Sequence, residues 1–365
     1  MKTVLIGVGQ AGGKVAHELA RYDTDNGYGA VVGALGVNSA SADLQSLPFE
    51  TVLIGQDRVN GHGVGGDNEL GASIMQSDAV EVMDALDGQL TAAAEAIVVV
   101  AGLGGGTGSG GAPVLVRELQ RIYDVPVYAL GVLPGRDEGS IYQVNAGRSL
   151  KTLVREADSL LVIDNDAWRD VGESVEEGYG AINRAIAERV GLLLAAGEIQ
   201  PGEEIAESVV DTSEVINTLR GGGLAAVGAA SAVASEDAEE NVNTVTTATR
   251  NALFTGTSLP EADTADAALL IVSGEPERIP RKGVERARRW LEEETGSMQV
   301  RGGDYPQPGE EIRVTLLLSG VQRSERVEQF MARARQAQAE ADDLEQERDR
   351  DPAAAFQNDQ LDDLL

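Results

Sequence analysis

Apolar runs of strand length alternate with helically spaced segments through the first half of the chain. Thr3-Val4-Leu5-Ile6 reads as a buried strand that breaks into Gly7-Val8-Gly9-Gln10-Ala11-Gly12-Gly13-Lys14. Val15 to Tyr22 then has helical spacing, with Val15, Leu19 and Tyr22 on one side. Further strands are expected at Ala30 to Val37 and Thr51 to Ile54, and a helix at Ser77 to Leu90. Ala96 to Ala101 is an apolar run that opens into Gly102-Leu103-Gly104-Gly105-Gly106-Thr107-Gly108-Ser109-Gly110-Gly111. Pro113 stands where a first helical turn is expected, ahead of a helix over Val114 to Tyr123. Strands at Val125 to Leu133 and Ser159 to Asp164 complete the series. Such alternation predicts an α/β fold with a mostly parallel, Rossmann-like sheet covered on both faces.

A long helix is expected over Glu176 to Ala196. Ser174 and Glu177 have capping-box spacing, and Gly197 suits a terminator. At 1.5 Å per residue it spans about 30 Å, enough to act as a strut between two domains. Beyond it the pattern becomes α+β, with strands at Asp266 to Ser273, Met298 to Arg301 and Ile312 to Val321 and a helix at Arg281 to Glu294. The expected organisation is a first domain over 1–173, a linking helix over 174–197, a smaller α+β domain over 198–322 and an acidic tail over 323–365. From Gln336 onward 10 acidic residues face 2 basic ones, so this stretch is expected to be disordered or loosely helical.

Composition narrows the function classes. The chain has 365 residues, with 60 acidic against 29 basic side chains and a net charge of −31. That charge repels nucleic acid and anionic lipid, so neither is an expected partner. Lys2, Lys14, Lys151 and Lys282 are the only lysines, glycines number 44 and aromatics make up 4%. The balance fits a protein working in concentrated salt, where a Debye length of about 3 Å at 1 M suppresses self-repulsion. With no cysteine and only His17 and His62, thiolate and histidine-rich metal sites are excluded, and no metal ligand set is assigned. The amino terminus does not read as a signal peptide, and no run approaches 18 apolar residues. A soluble, cytoplasmic protein without membrane insertion is expected.

Two glycine-rich strand-to-helix loops are the most informative chemistry. A helix start offers free N–H groups and a positive dipole end, and glycine lets phosphate oxygens approach the backbone. Gly7, Gly9 and Gly12 fit Gly-x-Gly-x-x-Gly, but the next strand ends at Val37-Asn38-Ser39 without the acidic ribose ligand of a dinucleotide oxidoreductase. No Gly-Lys-Ser/Thr follows, which excludes a P-loop. Gly104 to Gly110 instead resembles the signature phosphate loop of the tubulin/FtsZ superfamily of GTPases. Gly9-Gln10-Ala11-Gly12 resembles the first nucleotide loop in its tubulin-like form, and Gly61 to Asn68 the loop that senses the terminal phosphate. Leu133 to Gly139, Asp164 to Trp168 and the acidic composition look most like the CetZ branch found in halophilic archaea.

The resemblance implies GTP or GDP as ligand, with Mg2+ on the phosphates. It places Gly9, Gln10, Ala11, Gly12, Gly13, Lys14, Asn38, Gly104, Gly105, Gly106, Thr107, Gly108 and Ser109 around the nucleotide. Glu138 would contact ribose and Asn165 the guanine edge. Tyr179 would stack on the base and Asn183 hydrogen-bond it, a spacing that puts both on one helix face. The plainer readings are a solvated loop carboxylate for Glu138 and domain packing for Tyr179. Asp211 and Glu214 occupy the two acidic positions of the hydrolytic loop, which in the family completes the site of the next subunit. The asparagine the family places two residues before the first carboxylate is Val209 here. Asp211 alone could instead cap a helix running to Leu219. The implied function is a cytoskeletal GTPase that polymerises head to tail in cell-shape control; a slowly hydrolysing GTP-binding scaffold is the alternative. Phe356, Leu361, Leu364 and Leu365 could dock a protein partner through the tail.

Overall fold

The computed structural model describes residues 1–168, 175–196, 198 and 210–350. In chain order the elements are β1 (Thr3–Val8), α1 (Gly9–Asn26), β2 (Val31–Asn38), α2 (Ser41–Leu44), β3 (Glu50–Leu53), α3 (Gln56–Val59), α4 (Asn68–Asp87), β4 (Ala96–Gly102) and α5 (Thr107–Ile122). Then come β5 (Val127–Leu133), α6 (Ser140–Glu156), β6 (Ser159–Asp164), α7 (Val175–Ala195), α8 (Thr212–Leu219), β7 (Leu224–Val233) and α9 (Asn241–Phe254). The last are β8 (Ala267–Gly274), α10 (Arg281–Thr295), β9 (Gln299–Pro306), β10 (Glu311–Ser319) and α11 (Glu325–Arg350). The strands form one sheet in the order β3, β2, β1, β4, β5, β6, β7, β10, β8, β9. Pairing is parallel from β3 through β7, and β10 runs antiparallel between β7 and β8.

The pleat divides the core in two. Val4, Ile6 and Val8 of β1 and Ile97, Val99 and Ala101 of β4 face the layer that holds Ile74 of α4, Leu115 of α5, Leu150 of α6 and Phe330 of α11. Leu5, Val98 and Val100 face the other layer, with Val15 and Leu19 of α1 and Ile186, Val190 and Leu193 of α7. The end of α7 is tied to the start of β1: the Met1 ammonium donates to the carbonyls of Leu194 and Ala196 and pairs with Glu198. Tyr179, near the start of α7, lies at the opposite end of the strands, so this helix runs the length of the sheet.

The structure departs from the sequence pattern where glycine and charge mislead. Helices α1 and α5 begin inside their glycine loops, at Gly9 and Thr107, so Pro113 sits within α5 rather than at its first turn. Helix α4 begins at Asn68, nine residues before the expected Ser77, because Asp67 caps it by accepting from Leu70 N at 2.9 Å. Strand β7 is Ala-rich and has no clear strand pattern, yet it is held between β6 and β10. The tail expected from 323 onward is helical from Glu325 as far as Arg350, one of the two states expected beyond Gln336, but its first turns belong to the core, with Phe330 1% exposed. Ser174, Gly197, Val209 and the apolar tip from Phe356 lie outside the described residues.

Close backbone approach fixes the α4 and α5 pair. A Cβ on Gly110 would lie 2.0 Å from the Asn68 carbonyl oxygen, a distance no side chain tolerates. Gly110→Ala is therefore expected to push the two helix starts apart and cost about 1–3 kcal/mol. Urea unfolding in molar KCl measures this, and an unchanged midpoint would contradict the packing described.

Candidate functional site

The strand order β3, β2, β1, β4, β5, β6 reverses direction between β1 and β4, and ligands of open parallel sheets bind in the crevice at the carboxyl ends of such a pair. Both glycine loops leave the sheet there. Helices α1 and α5 start at this crevice without a side-chain cap and without an acidic residue in the first turn. Their amide groups and positive dipole ends are therefore left for a ligand, whereas Asp67 caps α4. Glycine is required sterically. A Cβ at Gly108 would lie 2.7 Å from the Gly102 carbonyl oxygen, and Gly9 has a φ of +73°.

A cavity of about 500 Å³ opens over these loops. The first loop lines it with Gly9, Gln10, Ala11 and Lys14, and the second with Gly104, Gly105, Gly106, Thr107 and Gly108. Asn38, Glu138, Asn165, Tyr179 and Asn183 join them from four other segments. Gly12, Gly13 and Ser109 do not line it. Gly12 packs on β4, where a Cβ would meet the Val100 carbonyl oxygen at 2.2 Å, and Gly13 lies against Leu47. The Ser109 hydroxyl turns back to the Gly105 carbonyl. These three shape the loops from behind.

The remaining side chains are held by short local networks. Asn38 donates to Asp43 Oδ2 at 2.9 Å, and Gln10 donates to Asp43 Oδ1 at 3.0 Å, joining the first loop to the end of β2. Glu138 accepts from the Gly135 amide at 2.7 Å, which folds its loop toward the cavity. Tyr179 is 44% exposed and lines the cavity from α7. The loop from Gly61 to Asn68 carries positive φ at Gly61, Gly63, Gly65 and Gly66, and His62 to Gly66 lines the cavity. Sequence reasoning passed over Asp43, Tyr142 and Asn145. Asn145, buried on α6, donates to the carbonyls of Gly66 at 2.8 Å and Gly104 at 3.0 Å, joining two glycine loops. Nothing in a helical segment flags such an asparagine, because its partners are 79 and 41 residues away.

Asp211 and Glu214 lie elsewhere. They form a capping box on α8: Asp211 Oδ1 accepts from Glu214 N at 3.0 Å, and Glu214 Oε2 accepts from Asp211 N at 3.3 Å. Neighbouring Thr212 reaches Glu95 at 3.4 Å, and Glu95 accepts from Lys2 N at 2.7 Å. Lys2 and Glu95 immediately precede β1 and β4, so the pair sits at the amino ends of the strands whose carboxyl ends hold the cavity. Strands of six or seven residues separate the two by about 20 Å. Within one chain they do not meet. The Ser213 hydroxyl, 2.5 Å away, is the main cause holding the Asp211 carboxyl below its ordinary range, while burial pushes Glu214 up. Among the described residues, no three His, Asp or Glu side chains are grouped to hold a metal.

Asp211→Ala removes the cap and is expected to cost about 1 kcal/mol at neutral pH. Because the folded carboxyl is shifted downward, its stabilisation is present above the ordinary aspartate value and fades as pH falls through the lowered one. Urea titrations of both proteins from neutral to acid pH test this; a difference that persists undiminished into acid would refute the cap's part in it.

Comparison with known proteins agrees with this geometry. Residues 2–173 match the model for the tubulin/FtsZ family GTPase domain, and residues 172–336 match that for the tubulin-like CetZ C-terminal domain. Tubulin-like protein CetZ2 of Haloferax volcanii is 67% identical over 365 residues, covering all of both chains. A structure of Haloferax volcanii CetZ2 as a GTPγS-bound protofilament superposes with a TM-score of 0.89 at 68% identity, covering 94% of this chain and all of that one. An FtsZ dimer from M. jannaschii shares the fold at a TM-score of 0.71 and 22% identity, covering 88% of each chain. The chain belongs to the tubulin/FtsZ family of GTPases and, within it, to the CetZ branch.

Proposed function

We propose that the cavity binds GTP and that chains stack head to tail, so that Asp211 and Glu214 of one meet the terminal phosphate held by the next. The observation that carries this is spatial: the cavity and the carboxylate pair occupy opposite ends of the same parallel strands. A chain with half a site at each end completes the site only by stacking, and a head-to-tail contact that does not close on itself builds a filament. The CetZ2 protofilament, at 68% identity, supports the same assembly.

In this reading the free amides at the starts of α1 and α5 take the phosphates, with Lys14 beside them. Asn165 reads the guanine edge, Tyr179 stacks on the base, Asn183 hydrogen-bonds it and Glu138 meets the ribose. The described carboxylates lining the cavity are Asp43, already bonded to Asn38 and Gln10, and Glu138, so Mg2+ would be carried by the phosphates rather than by a protein cage. Hydrolysis is in-line attack of water on the terminal phosphorus, breaking its bond to the bridging oxygen and releasing GDP and phosphate. Asp211 and Glu214 orient that water. The filament serves as a cytoplasmic cytoskeletal element, in cell-shape control by likeness to its branch.

Asp211→Asn and Glu214→Gln keep capping side chains while removing each charge. Both are expected to bind GTP normally and to lose turnover by about 100-fold or more. Wild-type turnover should rise steeply with protein concentration, and light scattering in molar KCl should require GTP. At low ionic strength assembly should fail before nucleotide binding does, because chains of net charge −31 must stack around an anion. Flat, negligible turnover would instead favour the scaffold reading.

A further inference from the structure

Helix α11 enters the wall of the nucleotide cavity from behind. Arg326 is 2% exposed, and its guanidinium bonds three acceptors on two loops: Asp164 Oδ2 at 3.2 Å, Asp166 Oδ2 at 3.1 Å and the Pro134 carbonyl at 2.9 Å. Asn165 stands between the two aspartates, and both Asn165 and Pro134 line the cavity. Asp164 Oδ1 accepts from Asp166 N at 3.2 Å, closing the turn that presents Asn165. Phe330 lies 4.5 Å beneath the guanidinium. Arg333, on the same face, donates to Gln143 Oε1 at 2.7 Å, and Gln143 Nε2 donates to the Gly135 carbonyl at 2.6 Å. The helix is seated firmly, since a Cβ on Gly147 of α6 would lie 2.2 Å from the Phe330 carbonyl oxygen.

A buried ion pair gains little stability over an apolar cluster of the same shape, so its stability alone does not account for Arg326; what it does here is join two loops. The geometry fixed here is that of the Asp164 to Asp166 turn against the Pro134 loop. We infer that Arg326 is a positioning residue for base recognition, holding the turn that aims Asn165 and so making helix α11 part of the guanine-selective wall. This rests on Asn165 contacting the guanine edge.

The test is competition binding of GTP and inosine triphosphate, which lacks the guanine 2-amino group, to full-length protein kept dilute enough to stay unassembled. Arg326→Lys keeps the charge, but a single ammonium cannot replace the fork that spans three acceptors. It is expected to weaken GTP binding about tenfold and to lower the preference for GTP over inosine triphosphate. The double variant Arg326→Met with Asp164→Asn removes the buried Asp164 charge together with its partner and leaves the partly exposed Asp166 held by the Arg136 amide at 2.9 Å; it should lower the preference likewise, and it decides the matter if the lysine variant does not fold. Asn165→Ala is the reference. If it lowers the preference while the Arg326 variants leave it unchanged, the positioning role is overturned and the base contact stands. If Asn165→Ala leaves the preference unchanged, the base contact fails and the inference falls with it. General loosening of the fold would weaken both nucleotides equally, and that result also overturns the proposal.

Discussion

Everything at the nucleotide end depends on how closely backbone approaches backbone where β1 and β4 release their helices. Gly12 rests on the Val100 carbonyl, Gly108 on the Gly102 carbonyl, Gly71 on the Gly106 carbonyl and Gly110 on the Asn68 carbonyl. None of these positions has room for a methyl group. The two strands are neighbours in register, Gly7 beside Val100 and Val8 beside Ala101, so the loops that follow open side by side. Two uncapped helix starts are thereby brought to one crevice, whose floor is made largely of main chain.

Such a site suits the composition. Lys14 and His62 are the basic side chains lining the cavity, against Asp43 and Glu138, so side-chain charge contributes little net attraction there. In molar salt a Debye length of about 3 Å weakens attraction between separated charges, whereas amides in direct hydrogen-bond contact with a phosphate keep their strength. An acidic composition and a cradle of free amides are compatible for that reason.

The sheet also sets the distance between the cavity and the Asp211 and Glu214 pair. Parallel strands place all their carboxyl ends on one side, so what precedes β1 and β4 faces away from the cavity. Helix α7 runs the same length, from Tyr179 and Asn183 at the cavity to the carbonyls that bind the Met1 ammonium.

Features with a local signal were legible in the amino-acid order alone. Apolar runs broken by glycine gave the parallel strands and their phosphate loops, because a strand that ends in glycines and resumes as a helix has few other uses. The four-residue spacing of Tyr179 and Asn183 put both on one face of α7, and Asp211 was readable as a possible cap, while the reciprocal bond from Glu214 that completes a capping box came from the structure. Contacts between distant segments carry no such local signal and emerge only in the folded chain. Ala-rich β7 is a strand because neighbours pair with it on both sides. Asn145 bridges two loops, and α11 is seated by Phe330 and by Arg326, whose partners lie 160 to 192 residues earlier. A run of charges in sequence carries no mark of which arginine will be buried. That choice is made by the aspartates and carbonyls which folding brings to meet it.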